Sequence, residues 1–275
     1  MGQRWRWRLL RAGSLRLDGG GMFGVVPKTL WSRMAEADEQ NRIGLQTNCL
    51  LLESESGEKT LIETGFGGKW SEKERGFYAL EKRTVEDALQ EVGLRAEEIG
   101  QVIVTHLHFD HAGGLTKLNT AGEVVRTFPN ARVFVQKLEW EDALANKSTM
   151  TKTYLRNHLD PIAGCVELVD GEREILPGVT VWPVPGHTWG QHAVRFEDEQ
   201  GVVCFAGDVI PTANHVGLAF SIGYDMMPYE NMLTKKKLLE RAEREAWRLA
   251  LDHEPGHAVM RVKHNEGGKF TFEQA

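Results

Sequence analysis

The stretch HLHFDH at residues 106–111 places three histidines and an aspartate within six positions. It directly follows the run QVIVT at residues 101–105, whose β-branched residues are typical of a buried strand. Imidazoles and a carboxylate clustered at the end of such a strand lose hydration, which is unfavourable unless a partner replaces the water. Neutral imidazole and ionised carboxylate are the groups that divalent metals prefer. The stretch therefore predicts a metal site at the carboxyl end of a strand.

The spacing within this stretch indicates more than one ion. His106 and His108 alternate around Leu107, so in an extended segment they point the same way. Asp110 and His111 follow where the chain begins to turn, and they face a second position. Adjacent side chains cannot all converge on one point, and ion pairs about 3.5–4 Å apart are common in hydrolytic centres. A pair of ions needs further ligands from elsewhere in the chain.

Three candidate ligands occur in the same setting, each just past a strand-like run: His187, Asp208 and His253. Taken alone, His187 also suits a capping or core histidine, and Asp208 suits a turn residue. Their shared placement favours the ligand interpretation. His257 lies four residues after His253 and is the alternative for the last ligand. We prefer His253.

The motif at 106–111, followed by GHT at 186–188, GD at 207–208 and then His253, resembles the metallo-β-lactamase superfamily. The order of candidate ligands along the chain is the same. The resemblance implies an α/β fold, namely a four-layer αββα sandwich of two mixed sheets flanked by helices. It also implies that the metal site lies at one edge, between the sheets.

The resemblance further divides the candidate ligands between two ions. The groups are His106, His108 and His187 for the first ion, Asp110, His111 and His253 for the second, and Asp208 bridging both. The catalytic residues are then Asp110, as a proton shuttle as well as a ligand, and Asp208. Zinc is the default metal, although such sites also accept iron, manganese or cobalt. The superfamily often has an aspartate before Thr-Gly in an earlier strand, whereas this chain has Glu63-Thr64-Gly65, whose longer carboxylate could still reach a ligand histidine.

Two ions lower the pKa of a bound water, so the expected reaction is hydrolysis by attack of a metal-bound hydroxide. The stretch from Gly207 to Asp225 and the early DGGGMFG at 18–24 are similar to one branch of the superfamily. That branch contains the quorum-quenching N-acyl homoserine lactonases and the methyl parathion hydrolases. The resemblance therefore implies a hydrolase that opens lactone or related ester bonds of a small molecule.

The substrate contacts are less clear from the sequence. In the better-known lactonases of this branch a tyrosine, three residues after the bridging aspartate, contacts the substrate, but here that position is Pro211. We expect His215 or Tyr224 to replace it, with Tyr229 as a further candidate. Phe109 is expected to line an apolar pocket. Each of these side chains also suits a packed or surface position.

Three alternatives remain open. The chain could be an organophosphate or arylester hydrolase, or a glyoxalase-II-like thioesterase that binds glutathione through basic residues near the C-terminus, such as Arg261 and Lys263. It could also be a non-catalytic metal-binding or redox protein. The last alternative is the least favoured, because none of the candidate ligands is missing. Di-iron flavoproteins of the superfamily, moreover, typically have an acidic residue where this chain has His108.

Composition predicts one globular domain over residues 1–275, with 41% hydrophobic residues and no linker-like segment. The net charge of −6 argues against nucleic acid as a partner. The run RWRWR at 4–8 could bind single-stranded nucleic acid, but an edge strand with exposed arginines and buried tryptophans is favoured. We also expect no membrane span and a cytoplasmic location, because the sequence has no secretory signal, no long apolar run and few cysteines. Dimers are common in the proteins that the chain resembles, so a homodimer is the oligomeric state that the resemblance suggests.

Strand and helix patterns agree with a layered fold. Strand-like stretches occur near 45–53, 59–63, 101–105, 132–136, 179–184, 192–196, 202–206, 258–263 and 269–273. Helical patterns occur near 84–93, 137–146, 150–158 and 231–248. Thr84 and Asp87 predict an N-terminal cap for the first of these helices.

Overall fold

The computed structural model of the protein describes residues 3–150 and 152–275, and their strands and helices form two packed sheets covered by helices. The strands are β1 Arg6–Asp18, β2 Arg42–Glu53, β3 Lys59–Ile62, β4 Gln101–Ile103, β5 Thr116–Leu118, β6 Val124–Arg126, β7 Arg132–Gln136, β8 Val166–Val169, β9 Arg173–Leu176, β10 Val179–Pro183, β11 His192–Asp198, β12 Gly201–Phe205, β13 Arg248–Ala250, β14 Val259–His264 and β15 Phe270–Gln274. The α-helices are α1 Gly19–Phe23, α2 Lys28–Trp31, α3 Glu72–Tyr78, α4 Val85–Glu91, α5 Phe109–Ala112, α6 Lys137–Leu144, α7 Arg156–Leu159 and α8 Pro228–Arg244.

The two sheets use separate parts of the chain. The first sheet has the strand order β1-β2-β3-β4-β7-β8, in which β1, β2 and β3 pair antiparallel and the remaining neighbours pair parallel. The second sheet has the order β15-β14-β13-β12-β11-β10-β9, and within it β12 and β13 are a parallel pair. Strands β5 and β6 form a separate hairpin. Both sheets are mixed, as predicted.

A shared apolar core lies between the sheets, and each outer face is covered by helices. In β2, Leu50 and Leu52 belong to the core between the sheets, whereas Cys49 and Leu51 face the helical layer. This alternation explains why the strand reads as one apolar run, because both of its faces are buried. Helix α4 covers the first sheet, and helix α8 covers the second. The layers therefore follow the order αββα, which confirms the predicted fold class.

Side-chain spacing explains why these helices pack as they do. The Asp87 carboxylate accepts a hydrogen bond from the Thr84 N–H at 2.8 Å, which is the predicted cap of α4. Leu238, Leu239 and Ala242 are buried on one face of α8, consistent with helical periodicity. Burying a leucine side chain contributes roughly 1.5–3 kcal/mol, so this face holds α8 on the second sheet.

The predicted boundaries differ from the structure in several places. Helix α8 ends at Arg244 rather than at 248, because Ala246 adopts a left-handed φ of 53° and the chain then enters β13. The short strands β5, β6, β8 and β9 were not predicted, since three or four residues carry little periodic signal. In the region predicted as helix 150–158, residue 151 lies outside the described residues, and α7 begins only at Arg156.

The run at 4–8 is an edge segment, as expected. Strand β1 is at the edge of the first sheet, Trp5 is 3% exposed, and Arg6 is exposed and pairs with Glu53 at 2.8 Å. Among the helices in residues 3–150 and 152–275, none has the length and apolar character that a membrane crossing requires.

Candidate metal centre

The candidate ligands meet where several strands end at one edge of the sandwich. Strand β4 leads into residues 106–111, of which Asp110 and His111 lie in the short helix α5. Strands β12 and β13 run parallel, so Asp208 and His253, which follow them, emerge at the same edge. His187 follows β10 in the same sheet. All of these ligand side chains are buried.

The structure gathers the buried donor atoms into two groups. His106, His108 and His187 form the first group, and His111, Asp208, Asp252 and His253 form the second; within each group the donor atoms lie within 4.8 Å of one another. In the first group, His108 Nδ1 and His187 Nε2 are 2.9 Å apart. In the second, His111 Nε2 and His253 Nε2 are 3.2 Å apart.

Asp208 lies between the two groups. Its Oδ2 is 3.1 Å from His187 Nε2, and its Oδ1 is 3.1 Å from His253 Nε2. Asp110 approaches the second group from the side, with Oδ2 3.6 Å from His253 Nε2 and Oδ1 3.9 Å from His111 Nε2. The structure therefore brings all the predicted ligand residues together, and Asp208 lies between the two groups.

Divalent cations fit this donor set. His106 Nε2, His108 Nε2 and Asp208 Oδ1 are buried without hydrogen-bond partners among the described residues. Buried polar atoms are normally paired, so these atoms need a partner that is not part of the chain. Burial lowers the pKa of His106 and of His108 well below the usual value, which keeps both imidazoles neutral and able to donate a lone pair. Neutral imidazoles and a shared carboxylate are what a pair of divalent ions requires.

Several candidate ligand histidines contact an oxygen atom through the ring nitrogen that faces away from their group. His187 Nδ1 is 2.9 Å from Asp225 Oδ1, and His253 Nδ1 is 2.9 Å from the Gln46 carbonyl oxygen. Such contacts fix the ring so that the other nitrogen points to the metal. His106 Nδ1 is likewise 3.1 Å from the Thr105 hydroxyl.

Glu63 faces His111, at 3.4 Å between Oε2 and Nδ1. The longer carboxylate thus does reach a ligand histidine. Glu63 has a left-handed φ of 66°, a conformation that non-glycine residues rarely adopt and that is concentrated at functional sites. Burial lowers the pKa of His111, but the Glu63 and Asp110 carboxylates raise it, to about 9 overall.

Glu139 on α6 accepts hydrogen bonds from both loops that carry the candidate ligands of the first group. Its Oε1 accepts hydrogen bonds from the Leu107 N–H at 2.9 Å and the Tyr154 hydroxyl at 3.1 Å, and its Oε2 accepts one from the Thr188 hydroxyl at 2.6 Å. Leu107 lies within the 106–111 motif, and Thr188 follows His187. Glu139 is fully buried, and burial raises its pKa. It therefore positions the loops that carry the first group.

A cavity of about 520 Å³ opens directly above the metal groups. Its walls are mostly apolar and aromatic, and five candidate ligands form its floor. The lining residues are Leu17, Met22, Phe77, Tyr78, His108, Phe109, Asp110, Thr149, Met150, Lys152, Thr153, His187, Asp208, Tyr224 and His253. An apolar cavity with a few convergent polar groups is the usual form of a small-molecule site.

Tyr224 is held in the cavity wall by a close approach to α1. A Cβ built on Gly21 would lie only 2.3 Å from the Tyr224 hydroxyl oxygen, so a larger residue at this position would displace the tyrosine ring. Burial, together with Asp18 and Asp110, raises the pKa of Tyr224 to about 12, which keeps its hydroxyl protonated. The hydroxyl can therefore donate a hydrogen bond to a group in the cavity.

Of the other residues that the sequence suggested as substrate contacts, some line the cavity and others do not. Phe109 lines the cavity, but His215 does not. The His215 ring is fully buried; its Nε2 donates to the Met22 carbonyl at 2.7 Å, and its Nδ1 is 2.7 Å from the Thr212 hydroxyl. It is stacked on Phe23, so the substrate contact expected of His215 is not met in the structure.

His257 and Tyr229 are also outside the centre. His257 is exposed, whereas His253 is buried in the second group. Tyr229 is 70% exposed at the start of α8, and neither Arg261 nor Lys263 lines the cavity. Tyr224 is therefore the candidate that takes the place left by Pro211.

Three buried acids at the site were missed by the sequence analysis: Glu139, Asp225 and Asp252. Glu139 lies among the charged residues of α6 and resembles a surface residue in sequence. Asp225 lies in a loop, far along the chain from the histidine that it contacts. Asp252 had a usable signal, because it is an acid directly before a candidate ligand at the end of a buried strand.

With this geometry established, comparison with known proteins identifies the family. Residues 42–253 match the family described as the metallo-beta-lactamase superfamily, which is most of the chain. This chain belongs to the metallo-β-lactamase superfamily. The resemblance inferred from the motif at 106–111 is thereby confirmed.

Individual members of the superfamily show how far the similarity extends. An N-acyl homoserine lactonase of Bacillus thuringiensis is 33% identical over 173 residues, which cover 58% of this chain and 61% of the lactonase. The match thus spans less than two thirds of that relative. A solved structure described as a probable metal-dependent hydrolase from Staphylococcus aureus has a TM-score of 0.88 at 27% identity and covers 100% of this chain and 99% of that one. The dizinc quorum-quenching lactonase AidC has a TM-score of 0.81 at 19% identity, with coverage of 100% and 96%, and this similarity shows the shared fold.

Proposed function

We propose that the protein is a dinuclear metal-dependent hydrolase that opens lactones or related esters. The observation that carries the proposal is the position of Asp208 between two groups of buried imidazoles, beneath an apolar cavity. Single structural metal sites are closed by their ligands, whereas this centre faces a cavity that can admit a substrate. The similarity to N-acyl homoserine lactonases favours lactones among the possible esters.

The ligand assignment follows the two groups. His106, His108 and His187 would hold the first ion, Asp110, His111 and His253 the second, and Asp208 both. A bound pair of divalent ions supplies an activated water and polarises the ester carbonyl. Zinc is the proposed metal, in line with the dizinc lactonase of the same fold.

The remaining steps belong to residues of the chain. Asp110 lines the cavity beside the second group, so its carboxylate can take a proton during attack and return it to the leaving alkoxide. Tyr224 donates its hydroxyl hydrogen to an oxygen of the substrate. Phe109 and Tyr78, whose ring centroids are 5.2 Å apart, exclude water and contact an apolar part of the substrate, such as an acyl chain.

We further propose that residues 1–275 act as one domain, that the substrate is a small molecule rather than nucleic acid, and that the protein is cytoplasmic and dimeric. The core shared between the two sheets supports the first point, and the net charge of −6 supports the second. The free state of Cys49, Cys165 and Cys204 suits a reducing compartment.

The decisive experiment is a substrate comparison with zinc-loaded protein. Acid release is followed for N-acyl homoserine lactones of increasing acyl length, with a paraoxon-type triester, an aryl ester and a glutathione thioester alongside. We expect lactone opening that improves with acyl length, because the cavity wall is apolar. Faster cleavage of the triester or the thioester would replace the lactone with that substrate class, and no turnover of any substrate would refute hydrolysis.

A further inference from the structure

Asp252 is a buried carboxylate at the second metal group that the ligand pattern of the motif does not include. It is 2% exposed and directly precedes His253. One of its oxygens lies within 4.8 Å of the donor atoms of His111, Asp208 and His253. The second group therefore contains one more carboxyl group than the superfamily pattern requires.

The hydrogen bonds of Asp252 leave one oxygen without a partner. Oδ1 accepts the backbone N–H of His253 at 3.0 Å. Oδ2 is buried and has no hydrogen-bond partner among residues 3–150 and 152–275. A buried carboxylate oxygen without a donor is unfavourable, and the nearby Asp208 carboxylate adds like-charge repulsion. A cation between these carboxylates would remove both costs.

Asp252 and Asp110 differ in their access to the cavity. Asp110 lines the cavity, whereas Asp252 is 2% exposed and does not. Only the Asp110 carboxylate can therefore also meet a substrate bound in the cavity.

We propose that Asp252 is a further protein ligand of the second metal ion. The proposal rests on the dinuclear centre proposed above and adds a ligand to it. With Asp252 as an additional carboxylate ligand, Asp110 would bind the ion less tightly and could also move a proton in the cavity that it lines. The two carboxylates would thus have different roles: Asp252 would bind the ion, and Asp110 would also transfer the proton.

The test is the metal content of Asp252→Asn. Asparagine has nearly the same shape and keeps the oxygen that accepts the His253 N–H, but it lacks the negative charge that a ligand to the ion would supply. Wild-type and variant protein are stripped with a chelator, loaded with zinc, freed of excess metal and analysed by inductively coupled plasma mass spectrometry. We expect two ions per wild-type chain and one per variant chain, because the histidines of the first group are untouched.

Asp160→Asn is the control for the loss of one negative charge. Asp160 is exposed and pairs with Arg156 at 2.7 Å, so this variant should keep both ions. Loss of one or both ions by folded Asp252→Asn, with both kept by the control, supports the proposal. If Asp252→Asn keeps two ions, with chelator resistance equal to that of wild type, Asp252 is not a ligand and the proposal is overturned.

Diffraction from the zinc-loaded wild-type protein decides the question even if the variant does not fold. Anomalous scattering locates the second ion, and a ligand oxygen should lie about 2.0–2.2 Å from it. An Asp252 oxygen farther than about 3 Å from the ion would overturn the assignment. Neither measurement uses a substrate, so failure of lactone opening would refute the proposed function without touching the role of Asp252.

Discussion

His253 and His257 are four residues apart in sequence, but only His253 lies in the second metal group. We expect His253→Ala to lose one zinc ion and to reduce lactone opening by several orders of magnitude. His257→Ala should retain both, because that side chain is exposed. Zinc content and initial rates measured on the two variants in parallel test the assignment. A reversed pattern would show that His257 is the ligand.

Tyr224 is the residue that we place against the substrate. Tyr224→Phe keeps an aromatic ring in the cavity lining but removes the hydroxyl. We expect a fall in kcat of roughly 10–100-fold with unchanged zinc content, since one lost hydrogen bond to a developing charge costs about 1.5–3 kcal/mol. Tyr229→Phe is the matched control, because Tyr229 is exposed on α8. Equal kcat values for the two variants would remove Tyr224 from the mechanism.

Among the secondary-structure elements, α1 packs against the Tyr224 side chain through Gly21. Gly21→Ala would place a methyl group 2.3 Å from the Tyr224 hydroxyl oxygen if nothing moved, so the ring must shift. We expect kcat to fall as far as in Tyr224→Phe, with both zinc ions retained. Gly44→Ala, where an added Cβ meets nothing within 4 Å, should behave as wild type. Steady-state kinetics on both variants check this, and an unaffected Gly21→Ala would show that the tyrosine does not act from this position.

Strand β11 begins with a histidine that makes folding sensitive to acid. His192 is fully buried, its two ring nitrogens have no partners among the described residues, and burial lowers its pKa to about 3. In the unfolded chain the pKa is near the usual 6.5, so the unfolded state binds more protons between about pH 3 and 6.5. The contribution of His192 to stability is therefore lost as the pH falls through that range.

His192→Leu should raise the free energy of unfolding by roughly 1–3 kcal/mol at pH 7.5, because it removes unpaired buried nitrogens. The gain should grow as the pH is lowered below about 6.5, since leucine does not titrate. Urea unfolding at pH 7.5 and 5.5 measures both effects. A constant difference between wild type and His192→Leu at the two pH values would contradict the argument.

The strands that end at the candidate ligands could be predicted from the sequence more easily than the buried acidic residues that contact those ligands or their loops. Residues 106–111 and Asp208 follow apolar runs with clear strand character, so their placement at strand ends could be read from the sequence. Glu139 contacts Leu107, which is 32 positions away in the chain, and Asp225 contacts His187, which is 38 positions away. No local pattern marks such contacts, because they arise only when the layers pack. For the same reason His215 was placed at the substrate, although its ring packs against Phe23 beneath the cavity wall.

For the molecule as a whole, metal binding and stability should be linked. Without metal, buried donor atoms of both groups lack partners among the described residues. Metal that binds the folded chain at 100 times its Kd adds about 2.7 kcal/mol, so we expect chelation to lower Tm by roughly 5–10 °C. Differential scanning fluorimetry before chelation, after chelation and after zinc is restored measures the effect. A Tm that neither chelator nor zinc changes would argue against a bound metal pair.

The division of the chain between the sheets has a consequence for assembly. Residues up to Val169 build the first sheet and supply the motif at 106–111, whereas residues from Arg173 onward build the second and supply His187, Asp208 and His253. Only a short turn joins these two segments. Two polypeptides produced by a cut in that turn would each carry an incomplete ligand set. They would recover the full set of candidate ligands only when they reassociate. The amount of bound metal would therefore measure how much of the two fragments had reassociated.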